Sequence, residues 1–154
     1  MKVSEIMTPA AVTDRPDDTL VEAARKMWEQ QTGSLVVTDG DELIGILTER
    51  DVLKAVATGT SLGDTTVSDV MTKDVVTAHP GMSLREAAGI MTDKWIRHLP
   101  VIDRGSLVGI LSQRDLSGVL ASALNEPETL ERVVDASTLA RERRLRRIEH
   151  GHWD

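Results

Sequence analysis

The heptapeptide GILTERD at residues 45–51 recurs as GILSQRD at residues 109–115, an interval of 64 residues. At that interval, residues 3–52 align without a gap with residues 67–116 and are identical at 21 of 50 positions. Unrelated sequences of ordinary composition share about one position in fifteen. The chain is therefore a tandem duplication, and this duplication decides its architecture.

Each copy contains the same order of predicted elements. A capping box, Thr19-x-x-Glu22 in the first copy and Ser83-x-x-Glu86 in the second, predicts the start of an amphipathic helix. Two short aliphatic strands follow, and a second helix begins inside the heptapeptide. We predict a mixed α/β (α+β) fold of two β-α-β-β-α repeats, packed about a pseudo-twofold axis so that each covers the sheet of the other.

The predicted domain organisation follows from the duplication. It consists of repeat 1 at residues 1–58, a linker at 59–66, repeat 2 at 67–122 and a C-terminal helical extension at 123–154. Within the extension, residues 126–148 predict a helix with acidic residues early and arginines late, as the helix dipole favours. We expect this helix to dock on its own module or on a dimer partner. An arginine arm for nucleic acid or an acidic protein is the alternative.

Composition narrows the class of function. The chain has 18 Lys and Arg against 25 Asp and Glu, and since residues 141–154 carry +2, the rest carries −9. Such a body repels a phosphate backbone, so nucleic acid is not the expected partner. The absence of cysteine excludes disulfides and thiolate chemistry. Without a signal peptide or a membrane-length apolar run, we expect a soluble, cytoplasmic protein with no membrane association.

Catalytic motifs are missing as well. The sequence contains no HExxH, GxSxG or Walker motif and leaves no room outside the repeats for a catalytic domain. We predict a non-enzyme with no catalytic residues and no metal site. Trp28 and Trp95, near the ends of the first helices, are predicted to be buried at a domain or dimer interface.

The strand-to-helix junctions carry the candidate binding chemistry. Thr48 and Asp51 lie at one junction, and Ser112 and Asp115 lie at the other. Free amides at a helix start favour an anion, a hydroxyl can donate to a phosphate, and a carboxylate can accept from two ribose hydroxyls. Helix capping alone would equally account for these residues. The glycine that opens each heptapeptide is consistent with close approach by a neighbouring chain segment or a ligand.

These two heptapeptides, each following a strand pair and a capped helix, resemble the CBS (cystathionine β-synthase) domain. The segment IRHLPVID at residues 96–103 resembles the strand before the motif in that family. The tandem arrangement is similar to a Bateman module. The resemblance implies that the cleft between the repeats binds AMP, ADP, ATP or S-adenosylmethionine as a regulatory ligand, with no obligatory cofactor. It also implies a disc-shaped homodimer.

The resemblance further implies two unequal sites. The first combines the Thr48 junction with residues 96–98, where Arg97 and His98 resemble a basic pair that contacts phosphates. The second combines the Ser112 junction with the segment around Gly33 and has less positive charge. Adenine would rest on backbone edges of residues 8–12 or 72–76. The predicted ligand-binding residues are Thr48, Asp51, Ile96, Arg97, His98, Thr72, Val76, Ser112, Asp115, Thr8, Val12 and Gly33.

We therefore expect a stand-alone regulatory module that senses adenosine nucleotides, as in energy sensing. The ligand would change the packing of the repeats or of the dimer, by no more than its differential affinity for the two states. The alternative is an adaptor that binds no ligand and recruits a protein partner or dimerises through its C-terminal helix.

Overall fold

A computed structural model describes residues 1–9 and 11–124, together with residues 142, 145 and 146. The chain divides into one unit from Met1 to Asp115 and a second from Leu116 to Asp154. Both sheets belong to the first unit. The helix predicted at residues 126–148 lies outside the described residues, apart from three exposed positions that include an ion pair of 3.8 Å between Glu142 and Arg146.

Repeat 1 begins with a 3-10 turn and continues as predicted. Its elements are β1 (Thr13–Asp14), α1 (Leu20–Gln30), β2 (Ser34–Asp39), β3 (Glu42–Thr48) and α2 (Glu49–Ala57). β1 pairs in parallel with β2, which pairs antiparallel with β3. Repeat 2 consists of α3 (Val67–Val70), α4 (Leu84–Lys94), β4 (His98–Asp103), β5 (Ser106–Ser112) and α5 (Gln113–Ala123), with β4 antiparallel to β5.

The first strand predicted for repeat 2 is reduced to a single parallel bridge between Ala78 and Val101. In repeat 1 the Val36 amide donates to the Val12 carbonyl at 3.0 Å and extends the ladder beyond one residue. The residue that corresponds to Val36 is Pro100, which has no amide hydrogen to donate. One substitution thus shortens the ladder, whereas the two mixed α/β repeats are otherwise confirmed.

The capping boxes that open α1 and α4 form as the sequence predicts. The Thr19 amide donates to the Glu22 carboxylate at 2.8 Å, and the Ser83 amide donates to Glu86 at 3.2 Å. Each box satisfies amides that have no partner inside the helix. Local sequence alone therefore places the start of both helices.

The two sequence copies exchange their first segments. Val3 donates from its backbone to the Met82 carbonyl of repeat 2 at 2.9 Å, while Val67 donates to the Asp18 carbonyl of repeat 1 at 2.8 Å. Val67 is fully buried in the hydrophobic core of repeat 1, together with Leu20 and other residues of the first copy. Val67 therefore completes the core of repeat 1, and buried Val3 is bonded through its backbone to repeat 2.

Two segments then cross back between the sheets. Thr8 exchanges two backbone hydrogen bonds of 2.9 and 3.0 Å with Ile110, and Thr72 does the same with Ile46. A Cβ atom at Gly109 would collide with the Thr8 carbonyl, just as one at Gly45 would collide with the side chain before Thr72. The predicted close approach at both glycines is thus made by the chain itself.

Candidate ligand-binding cleft

Each hydroxyl-x-x-Asp motif forms a cap on its own helix. The Thr48 amide and hydroxyl both donate to Asp51 Oδ2, at 2.7 and 2.8 Å. The Ser112 amide and hydroxyl donate in the same way to Asp115 Oδ2, both at 2.7 Å. Among the described residues, no side chain or amide donates to Oδ1 of either half-buried aspartate. The capping role is therefore real, and it occupies only one carboxylate oxygen per motif.

The first amide of each helix is also occupied. The Glu49 amide donates to the Gly33 carbonyl at 3.0 Å, and the Gln113 amide donates to the Arg97 carbonyl at 2.9 Å. These two bonds are related by the internal symmetry, and each lies within its own repeat. An anion at either helix start must therefore use the amides that follow in the first turn.

Arg97, predicted to contact a phosphate, already has an anionic partner. Its Nη2 atom lies 2.8 Å from Glu49 Oε1, and both side chains are exposed. Glu49 is the first residue of α2, between Thr48 and Asp51, so the ion pair lies beside the predicted ribose site. Glu49 is not among the predicted site residues. The available signal was the exchange of Glu49 for Gln113 between two otherwise similar heptapeptides.

His98 is half-buried and lies where the two predicted sites meet. Burial, and after it the positive charge of Arg97, lowers the pKa of His98 below its usual value, so the imidazole is neutral at pH 7. A Cβ atom at Gly33 would lie 3.5 Å from His98 Cε1. Gly33 was predicted for the second site and His98 for the first, yet the fold places them against each other.

The residues predicted to line adenine lie on the crossing segments. Both backbone groups of Thr8 and of Thr72 are used in the bridges between sheets, and the Val12 carbonyl accepts from β2. Adenine recognised by backbone edges must therefore use neighbouring residues of those segments, such as half-buried Val76. Val12 also lines an open depression of about 340 Å³ beside the charged side of α1. The Ile96 amide closes the end of α4 by donating to Met91 at 3.0 Å.

The described residues were also searched for metal sites and for membrane-spanning helices. Across residues 1–9 and 11–124, no group of three or more His, Asp or Glu side chains is placed to hold a metal ion. None of the helices within the described ranges is long and apolar enough to cross a membrane.

The duplicated fold and its paired capped junctions define a tandem CBS pair. The CBS domain model matches residues 3–58 and 67–122, and the chain belongs to this family.

Similar protein sequences and solved structures support membership in the CBS family. The chain is 39% identical over 116 residues to the CBS domain-containing protein YhcV of Bacillus subtilis, covering 75% of this chain and 82% of that protein. It is 40% identical over 119 residues to a Methanopyrus kandleri protein, MK0525, again over 75% of this chain but spanning only 61% of that protein.

Two solved structures have the same fold. A CBS-domain containing protein from Agrobacterium tumefaciens has a TM-score of 0.74 and 35% identity, covering 77% of this chain and 98% of that one. The CBS domain pair of protein MJ0100, in complex with 5′-methylthioadenosine and S-adenosyl-L-methionine, has a TM-score of 0.74 and 27% identity, covering 80% and 98%.

Proposed function

We propose that this chain is a regulatory CBS pair that binds an adenosine-containing ligand of the AMP, ADP, ATP or S-adenosylmethionine class between its repeats. Ligand binding would change the packing of the repeats or of a homodimer, and a protein partner would read that change. The observation that carries the proposal is the one remaining carboxylate oxygen on each of Asp51 and Asp115. The adenosine ligands bound by the MJ0100 pair support the same ligand class.

The chemistry of the cleft fits this class. Oδ1 of each aspartate can accept hydrogen bonds from vicinal ribose hydroxyls while Oδ2 continues to cap the helix. A phosphate near the start of α2 would meet first-turn amides and Arg97, and the Thr48 hydroxyl could donate to it only by giving up its bond to Asp51 Oδ2. Because Arg97 is paired with Glu49, the phosphate must first compete with that carboxylate.

The remaining parts of the proposal concern context. We propose that the protein acts in the cytoplasm as a homodimer, without catalytic activity of its own, a metal ion or an obligatory cofactor. The absence of catalytic activity is supported by the match of residues 3–58 and 67–122 to CBS domains. The C-terminal extension is then available for a protein partner rather than for nucleic acid.

A thermal-shift titration against AMP, ADP, ATP and S-adenosylmethionine tests ligand binding. Ligand at one hundred times its Kd stabilises the native state by about 2.7 kcal/mol. For a chain of this size we expect a rise in Tm on the order of 5–10 °C. A flat response to all four ligands would favour the adaptor, in which the two motifs serve only as helix caps.

Asp51→Ala and Asp115→Ala test the site assignment, and Asp69→Ala is the matched control. Asp69 accepts from the Thr66 amide and hydroxyl at 3.0 and 2.7 Å, the same capping geometry outside the predicted site. Each variant loses one carboxylate that accepts hydrogen bonds at the start of its helix. We expect calorimetric titration to show at least a tenfold loss of affinity at the altered cleft for the two site variants and none for the control. Equal losses in all three variants, or unchanged affinity in both site variants, would contradict the assignment.

A further inference from the structure

The residues predicted for the two ligand sites meet at one place between the repeats. Gly33, predicted for the second site, lies against His98 of the first, since a Cβ atom at Gly33 would be 3.5 Å from His98 Cε1. The same Cβ atom would be 3.4 Å from Glu49 Oε2, while Glu49 Oε1 pairs with Arg97. Two ligands that direct their 5′ substituents at these residues would therefore be close neighbours.

This meeting place has a cationic side chain on one side only. The duplication aligns Arg97 and His98 of repeat 2 with Gly33 and Ser34 of repeat 1. Neither residue of repeat 1 can carry a charge, and the Ser34 hydroxyl oxygen is buried without a hydrogen-bond partner among the described residues. Repeat 1 therefore offers the second site no side chain in this segment that would bind a phosphate.

The other charges near the two sites increase this difference. Arg50 and Arg114 stand directly before the aspartates of the two motifs and are both exposed, so they do not distinguish the sites. The Glu49 amide is bonded to the Gly33 carbonyl at 3.0 Å, which keeps Glu49 beside Gly33. When a phosphate takes Arg97 at the first site, Glu49 loses its cation. A second phosphate would then be repelled both by that carboxylate and by the first phosphate.

We propose that the cleft binds one phosphorylated adenosine ligand per chain, at the first site, and that the second site takes an adenosine ligand without a phosphate. Within the described residues, Oδ1 of Asp115 is as open to ribose hydroxyls as Oδ1 of Asp51, so both sites can hold adenosine. They differ at the 5′ position, where an uncharged group such as the methylthio group of 5′-methylthioadenosine needs no cation. This inference rests on the proposed function and names the ligand class of each site.

Calorimetric titration of the full chain with AMP counts the phosphorylated ligands. We expect one AMP per chain, and a second AMP should bind at least about tenfold more weakly because it lacks a hydrogen bond from a charged donor. Asp51→Ala should remove the binding of this one AMP, and Asp115→Ala should leave it. Two AMP molecules of equal affinity, or binding that depends on Asp115 and not on Asp51, would overturn the inference.

A second titration adds 5′-methylthioadenosine to protein that is already saturated with AMP. We expect one further molecule to bind per chain in the wild type and none in Asp115→Ala, because the ribose at the second site then has no acceptor. Failure of 5′-methylthioadenosine to bind beside AMP would overturn the inference. Displacement of AMP by it would do so too, since both ligands would then prefer the same site.

Gly33→Arg gives the second site the cation that it lacks. The φ angle of Gly33 is not positive, and an added Cβ would make only ordinary contacts of 3.4 to 3.5 Å, so a side chain can be accommodated. We expect this variant to bind a second AMP, which is lost again when Asp115→Ala is added. Gly33→Gln is the matched uncharged control and should still bind one. A second AMP in both variants, or in neither, would show that charge at this position does not decide the ligand class.

Failure of the inference and failure of the proposed function give different results. A wild type that binds neither AMP nor 5′-methylthioadenosine in these titrations, nor any ligand in the thermal-shift panel, would reject the proposed function, and the inference would fall with it. A wild type that binds two AMP molecules equally would keep the proposed function and reject only the inference.

Discussion

The contact between the first strand segment and the first helix is ionic in repeat 1 and apolar in repeat 2. In repeat 1, buried Asp14 forms an ion pair with Lys26, which also lies 3.8 Å from Asp18. In repeat 2 the three corresponding residues are apolar: Ala78, Met82 and Ile90. The same fold is therefore reached without the charges, so the ionic cluster is not needed for the architecture.

Burial makes the cluster of repeat 1 sensitive to its partners. Desolvation raises the pKa of Asp14 even though the hydrogen bond with Lys26 opposes it. The nearby side chain of Asp14 lowers the pKa of Asp18. Asp14 Oδ2 is a buried oxygen with no hydrogen-bond partner among the described residues. A buried carboxylate of this kind is tolerated only while its cation remains.

The two predicted ligand sites also differ in their charged residues. Glu49 and Arg97 form an ion pair beside the start of α2, whereas the corresponding residues beside α5 are Gln113 and Gly33. The two repeats therefore share their helix caps and apolar cores but differ in their charged residues. Three predictions test these differences. Two of them give repeat 1 the residues of repeat 2, and one removes an imidazole that only repeat 2 has.

The largest effect is expected from Lys26→Ile, which leaves Asp14 buried without its cation. Breaking a buried ion pair costs about 3–5 kcal/mol, and because Lys26 is 36% exposed we expect about 2–3 kcal/mol at pH 7. The double variant Asp14→Ala/Lys26→Ile reproduces repeat 2 and should be at least as stable as the wild type. Urea unfolding measures both.

The pH dependence of the stability lost in Lys26→Ile provides a control for this prediction. A raised pKa means that folded Asp14 binds a proton more readily than unfolded Asp14, so its contribution to stability is lost as pH rises through the folded-state pKa. The deficit of Lys26→Ile should shrink when urea unfolding is repeated at pH 5. A double variant as unstable as the single one would show that the charges themselves stabilise repeat 1.

A smaller effect concerns His98 and ligand affinity. Burial lowers the pKa of His98, and a phosphate nearby would raise that pKa, so binding takes up a proton. Affinity for AMP should rise as pH falls from 7.5 to 6, by at most about tenfold per pH unit. Calorimetric titration of His98→Asn provides the baseline, including protonation of the phosphate itself. Equal pH profiles for the two proteins would remove His98 from the site.

The smallest effect is expected from Glu49→Gln, which gives α2 the residue of α5. Removing the carboxylate frees Arg97 for a phosphate, and since exposed ion pairs are worth about 0.2–1 kcal/mol, affinity for AMP or ATP should rise about 2–5-fold. Gln113→Glu is the reciprocal control and should not strengthen binding. Weaker binding by Glu49→Gln would show that Glu49 contacts the ligand directly.

Much of the fold could be predicted because its signals are local. Thr19 and Ser83 mark helix starts through hydrogen bonds that span three residues, so a short window of sequence contains the cause. The duplication is visible for the same reason, as identical residues at one interval. The difference at Pro100 was also visible, but its effect on a parallel strand depends on a distant partner.

The candidate site was predictable only in part. Thr48, Asp51 and their counterparts are positioned by local caps, and their oxygens behave as the motif indicates. Arg97 and Glu49 are 48 positions apart in the sequence, and their spacing does not predict the ion pair between them. The predicted burial of Trp28 at an interface stays a prediction, since its side chain is exposed on this single chain.

The sequence by itself determined the tandem repeat, the capped helices, the aliphatic cores and the CBS family, because each depends on residue types at short or fixed spacing. Only the tertiary structure decided that Val3 packs with repeat 2 and Val67 with repeat 1, and that Glu49 faces Arg97. It also decided that the large side chain of Trp28 is exposed on this chain. These features depend on which surfaces meet after the chain has folded back on itself, and that is a long-range outcome of packing.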